Sequence, residues 1–122
     1  MGNEIAALDP VRIYNSCGKF KLNESAELVQ MARVIVSNDT GLMHIAAASG
    51  TPSLGLFGPS PAAQYAPWGR HTACAQSADL PEAMFGPGFD HRTTDTLMDG
   101  LSVDAAEAAA DKLWRSIASD AA

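Results

Sequence analysis

The chain has 122 residues, a formal net charge of −6 and an apolar fraction of 47 %, the ordinary make-up of a single domain long enough to bury a usable core. An acidic balance without a basic cluster excludes non-specific nucleic-acid binding as a function class. No stretch approaches the ~18 consecutive apolar residues of a membrane-spanning helix. The first ten residues contain Glu4 and Asp9 and no basic segment, so no signal peptide is expected. Cys17 and Cys74 lie far apart and form no Cys-x-x-Cys, and His44, His71 and His91 add no metal-binding spacing. Two buried thiols in a reducing compartment, the cytoplasm, are therefore expected.

In chain order, Met1 to Ala7 reads as a tail or the end of a helix, and Asp9-Pro10 as a turn. Val11 to Asn15 alternates in the manner of a strand, and Ser16-Cys17-Gly18-Lys19 is a loop after it. A helix is expected over 21–33, with Leu22, Ala26, Val29 and Ala32 on one buried stripe that Leu28 and Met31 widen. Glu24 and Glu27 lie near its N-terminal end, where the helix dipole favours them. A strand over 34–37, β-branched and buried on both faces, leads through Asn38-Asp39-Thr40-Gly41 into an Ala-rich helix over 42–49. Gly50 suits a left-handed cap, Pro52 prevents continuation, and 53–57 forms the next strand before Gly58-Pro59. Ser60 to Arg70 is a loop with one helical turn at Pro61 to Tyr65, in which Tyr65 and Trp68 either border a site or cap the core edge. A short strand over 72–76 follows, then an irregular excursion from Ser77 to Gly100, a length usual only for functional or disordered loops. The last helix is expected over 103–118, opened by Asp104 and Glu107 as a capping box. The predicted core is Leu28, Ile35, Val36, Ile45, Ala48, Leu54, Leu56 and Trp114.

Two strands joined by a helix make a parallel, right-handed βαβ unit. Ligands of open α/β sheets bind beyond the carboxyl ends of the strands. Asp39-Thr40-Gly41 falls at such an end and opens a helix, whose free N–H groups and partial positive charge favour an anion. Gly41 lets a phosphate approach the backbone, Thr40 adds a hydroxyl donor, and His44 lies one helical turn further on. Each residue also has a plain role: Asp39 as an N-cap, Thr40-Gly41 as turn chemistry, His44 as a packed or solvated side chain. Only the combination points to a function.

That combination is Asp39-Thr40-Gly41-Leu42-Met43-His44-Ile45-Ala46-Ala47-Ala48, then Gly50-Thr51-Pro52, then Leu56-Phe57-Gly58-Pro59-Ser60. It resembles glycosyltransferase family 9, the ADP-heptose:lipopolysaccharide heptosyltransferase family, whose members carry an Asp-Ser/Thr-Gly-x-x-His-x-Ala-Ala block, a Gly-x-Pro turn and a Leu-Phe-Gly-Pro-Thr/Ser loop. The likeness extends upstream through Cys17-Gly18-Lys19 and Leu22 and more weakly to about Pro67, roughly half the chain.

The resemblance implies a two-domain enzyme of the GT-B type. Its C-terminal Rossmann-like domain holds the nucleotide-sugar donor, ADP-heptose or a related sugar, and its N-terminal domain holds the lipopolysaccharide core acceptor. Residues 1–122 are then expected to be one partial C-terminal domain, with the acceptor domain, the phosphate loop and the catalytic carboxylate outside the chain. Asp39, Thr40, Gly41, Leu42 and His44 are the implied donor contacts. No catalytic residue, cofactor or metal ligand is implied within the chain. The other expectation is a stand-alone, non-catalytic nucleotide- or phosphate-binding or interaction module. A surface left bare by truncation predicts a homo-oligomer.

Overall fold

The computed structural model describes residues 1–79, 87–90, 92 and 97–121. Its elements are α1 (Gly2–Ala6), α2 (Leu22–Met31), β1 (Ile35–Asn38), α3 (Gly41–Ala48), β2 (Ser53–Phe57), α4 (Ala62–Tyr65), β3 (Thr72–Gln76) and α5 (Val103–Asp120). The three strands form an open parallel sheet in the order β1-β2-β3. Ile35 to Asn38 register with Ser53 to Leu56, and Ser53 to Phe57 with Thr72 to Gln76. The fold class is therefore the expected one: α/β, with a Rossmann-like parallel sheet and flanking helices.

The βαβ unit closes at both ends of α3. Gly50 has φ +82, a conformation that costs glycine nothing. Its N–H donates to the Ala47 carbonyl at 3.1 Å, and that of Thr51 to the Ala46 carbonyl at 3.0 Å. This pair of bonds is the Schellman arrangement, which satisfies the last carbonyls of the helix. The Thr51 hydroxyl donates to the Val29 carbonyl at 3.2 Å and so ties the turn to α2.

The core is small. Met43, Ala46, Ala47, Leu54, Phe57, Ala75 and Leu113 are its buried apolar side chains among the described residues. A Cβ on Gly55 would lie 2.8 Å from the Met43 Sδ and against the Phe57 ring, so glycine in β2 is what lets α3 settle onto the sheet. Strand alternation sends Leu54 to the other face, and α5 lies along β3 and β2. The end of α5 is tied to the entry of β3, with Asp120 Oδ2 3.3 Å from Arg70 Nη2 and 3.4 Å from His71 Nε2.

Several expectations are corrected. Val11 to Asn15 forms no strand: Asp9 organises a turn there, accepting from the Arg12 N–H and side chain, and Val11 is 93 % exposed. The alternation was present, but among the described residues no strand pairs with it. β1 is an edge strand of the described sheet, so Val36 is 54 % exposed rather than buried on both faces. Of the predicted core, Leu54 is fully buried, Ile35, Ile45 and Leu56 are half-buried, and Leu28, Val36, Ala48 and Trp114 are exposed. The face of α3 that meets the sheet carries Met43, Ala46 and Ala47, one step out of phase with the expected Ala48. On α2, Ala26, Val29 and Ala32 are half-buried, while Leu22, Leu28 and Met31 stand in solvent. Trp114 lies under the Arg33 guanidinium, 5.3 Å from its centroid, and leaves the buried position on α5 to Leu113. The cap of α5 is Ser102, whose hydroxyl accepts from the Ala105 N–H at 3.1 Å. Asp104 instead sits in the first turn as a dipole partner.

Cys17 is exposed, against the expectation of two buried thiols. Tyr65 and Trp68 are 48 % and 93 % exposed and cap nothing, whereas Pro67 between them is buried. Of the Ser77–Gly100 excursion, residues 80–86, 91 and 93–96 lie outside the described residues, and the rest carries turns and bends. Among the described residues no helix is long and apolar enough to cross a membrane.

Candidate functional site

The carboxyl edge of the sheet is where β1 delivers the chain into α3. Thr40 occupies the N-cap with φ −145 and ψ 163, and no side chain caps the helix. The first N–H groups of a helix have no partner inside it, so the amides that open α3 at Gly41 and Leu42 are available to a ligand. The macrodipole adds about half a positive charge at this end. Nothing lies within 4 Å of the position a Gly41 Cβ would take, and Gly41 does not have positive φ. Glycine here keeps the approach to the amides clear; the backbone does not demand it.

The side chains around this opening are arranged in two pairs. Asp39 is not the N-cap. Its Oδ1 lies 3.9 Å from His44 Nε2, with the two side chains 28 % and 48 % exposed. The His44 ring therefore reaches back one turn to the mouth, as the helical spacing predicts. The second pair is Ser37 and Thr40, whose hydroxyl oxygens are 3.1 Å apart. Ser37 donates its proton to the Asn38 carbonyl at 2.9 Å, so the contact between the hydroxyls is donated by Thr40. Sequence reasoning missed Ser37. It sits near the end of β1 with no motif to mark it, and the turn out of the strand brings it onto Thr40, three residues on.

The five expected residues are thus gathered at one place: Asp39, Thr40, Gly41, Leu42 and His44 surround the start of α3. Leu42 also lines a cavity of about 350 Å³ with Ser16, Cys17, Gly18, Phe20, Ser25, Leu28 and Val29. The loop at Cys17-Gly18-Lys19, marked by sequence likeness, therefore borders the same side of the helix. Among the described residues no group of three or more His, Cys, Asp or Glu gathers as a metal site would require.

Beside this opening lies the end of β2. Asn38 registers with Leu56, so the turn Gly58-Pro59-Ser60 leaves the sheet at the same edge as Thr40. Gln76, at the end of β3, holds that turn. Its Nε2 donates to the Gly58 carbonyl at 2.8 Å and to the Phe57 carbonyl at 3.3 Å, and its Oε1 accepts from the Ala62 N–H at 2.7 Å.

A parallel open sheet whose carboxyl edge presents an uncapped, glycine-opened helix is a Rossmann-like architecture with an anion-compatible mouth. The chain belongs to glycosyltransferase family 9 (heptosyltransferase), whose family model matches residues 2–86. It is similar to the lipooligosaccharide heptosyltransferase 2 of Haemophilus influenzae, 41 % identical over 71 residues, which cover 55 % of this chain and 20 % of that protein. It is also similar to the lipopolysaccharide heptosyltransferase 2 of Escherichia coli, 43 % identical over 63 residues covering 48 % and 18 %. The lipooligosaccharide heptosyltransferase 2 of Haemophilus ducreyi is 48 % identical over 48 residues, covering 38 % and 14 %. The chain matches about a fifth or less of the length of these curated relatives. No solved structure matches it.

Proposed function

We propose that this chain is the donor-binding part of a heptosyltransferase-like glycosyltransferase acting in lipopolysaccharide core synthesis. The diphosphate of a nucleotide-sugar, ADP-heptose or a relative, sits at the start of α3. It accepts from the amides at Gly41 and Leu42 and from the Thr40 hydroxyl, whose proton turns away from Ser37 to reach it, with His44 alongside and Asp39 orienting the His44 ring. The observation that carries this reading is the uncapped start of α3, placed at the carboxyl edge of the sheet within a segment that matches the family. Departure of a nucleoside diphosphate leaves negative charge on its oxygens, and fixed donors aimed at developing charge are the usual largest source of catalysis. Helix amides and side chains supply those donors here without any metal ligand being asked of this chain.

In this reading residues 1–122 are one part of the C-terminal domain of a GT-B enzyme in the cytoplasm. The opposing domain brings the lipopolysaccharide core acceptor and the general base. The open edge of β1, where Val36 is exposed, is the surface through which the chain forms a homo-oligomer. The test is amide NMR during titration with ADP. Shifts confined to Asn38–Ala46 support the donor site. Shifts elsewhere with none in that segment overturn it.

A further inference from the structure

Gln76 is an exposed residue at the end of β3, yet it makes three hydrogen bonds to the segment from Phe57 to Ala62. Two are donated to the carbonyls of Phe57 and Gly58, and one is accepted from the Ala62 N–H. Both ends of the carboxamide are therefore engaged, the nitrogen with two carbonyls and the oxygen with an N–H. From the opposite side, the Leu97 carbonyl and the Met98 Sδ leave no room for a Cβ on Gly58. The turn is therefore held between β3 and the segment at 97–98. It is not a free loop.

What the clamp presents is specific. Gly58 is buried and Ser60 half-buried, and neither N–H has a hydrogen-bond partner among the described residues. Ligands of open α/β sheets bind beyond the carboxyl ends of the strands, which is where this turn lies. Register places this turn one strand spacing, about 4.8 Å, from the segment that leads into α3. The two segments therefore leave the sheet side by side.

We propose that Gln76 is a positioning residue of the donor site: it fixes Gly58-Pro59-Ser60 as a second wall, which meets the sugar attached to the diphosphate while α3 holds the diphosphate itself. The proposal rests on the donor-site reading above. Gln76 touches no ligand and acts through the turn.

The test compares ADP with ADP-glucose, titrated into the 122-residue chain and followed by amide NMR, alongside a thermal midpoint for each variant. Gln76→Met keeps the length and removes all three bonds. Ala62→Pro removes the bond to Oε1 from the other partner and leaves Gln76 in place. Proline is tolerated at that first helical position, and Pro61 before it, at φ −72 and ψ 121, is already in the conformation a following proline requires. Loss of the wall should weaken ADP-glucose by about 3- to 10-fold, the effect of a displaced hydrogen bond or two, and ADP by less than about 2-fold. An ADP-glucose to ADP affinity ratio that stays at the wild-type value in both variants overturns the role of Gln76, even if both affinities fall together. If ADP moves no amide of the wild type between Asn38 and Ala46, the donor-site reading fails, and the role of Gln76 fails with it. Should Gln76→Met not fold, the ratio in Ala62→Pro alone decides.

Discussion

Residues 1–21 and residues 34–58 are comparable in apolar character but differ in what that character achieves. The first buried side chain in the chain is Met43; none precedes it. The N-terminal segment is joined by local polar contacts: Asn15 to Asn3 at 2.7 Å, Arg12 to Asp9 at 2.6 Å, and Lys19 Nζ to the Tyr14 hydroxyl at 2.9 Å with its charge 4.2 Å from the ring centre. Such exposed contacts contribute little stability, typically under 1 kcal/mol each. The βαβ unit, by contrast, has two strands in register, a capped helix and most of the core. The difference teaches that alternation becomes a strand only where another strand and a covering helix receive it. The same unit that carries most of the core also carries the proposed donor site.

The largest expected effect tests the energetic side of that contrast. Leu54→Ala should cost about 2–5 kcal/mol, the usual loss for a fully buried leucine, since Leu54 is 1 % exposed. Val11→Ala should stay within about 0.5 kcal/mol. Urea denaturation measures both, and equal costs would erase the distinction.

Gly41→Val separates the site from the fold within the unit. A valine side chain meets open space and no left-handed backbone, and valine is no poorer a helix former than glycine, so stability should change by under about 1 kcal/mol. ADP binding should nonetheless be lost, because the branched side chain fills the approach to the amides. A melting midpoint and an ADP titration on the same sample check both halves; retained binding would break the link to α3.

His44→Ala should weaken ADP by roughly 1–3 kcal/mol, the range for a hydrogen bond to a charged group. Because His44 is exposed and paired only loosely with Asp39, its unfolding midpoint should barely move. A large drop in stability would make His44 a structural residue and weaken the claim that the mouth of α3 is built for a ligand.

The smallest effect concerns the thiols, one in each region's neighbourhood. Burial pushes the Cys74 thiol up, so the folded state resists ionising it. A raised folded pKa means stability that is full below the ordinary thiol range, about 8.5, and is lost as pH rises past it. The urea midpoint should therefore fall slightly more steeply above that range in the wild type than in Cys74→Ala. In the same window Cys17, exposed on its loop, should react with iodoacetamide faster than Cys74. Equal labelling of the two would show that the sheet opens as readily as the N-terminal segment.

The sequence by itself determined the parallel βαβ unit, the left-handed cap at Gly50, the strands at 53–57 and 72–76 within a residue, and the grouping of Asp39, Thr40, Gly41, Leu42 and His44 at one helix start. Turn chemistry, caps and helical spacing are local, and local rules suffice for them. Tertiary structure decided the rest. Val11–Asn15 had the pattern of a strand and, among the described residues, no strand to pair with. Val36 and Trp114 had the hydrophobicity of core residues, but β1 lies at a sheet edge and Leu113 took the buried phase of α5. Gln76, at the end of β3, and the Gly58 turn are positions whose relation exists only after the strands come into register. A side chain's partner across a sheet is set by the packing of the whole chain, and no single-chain period encodes it.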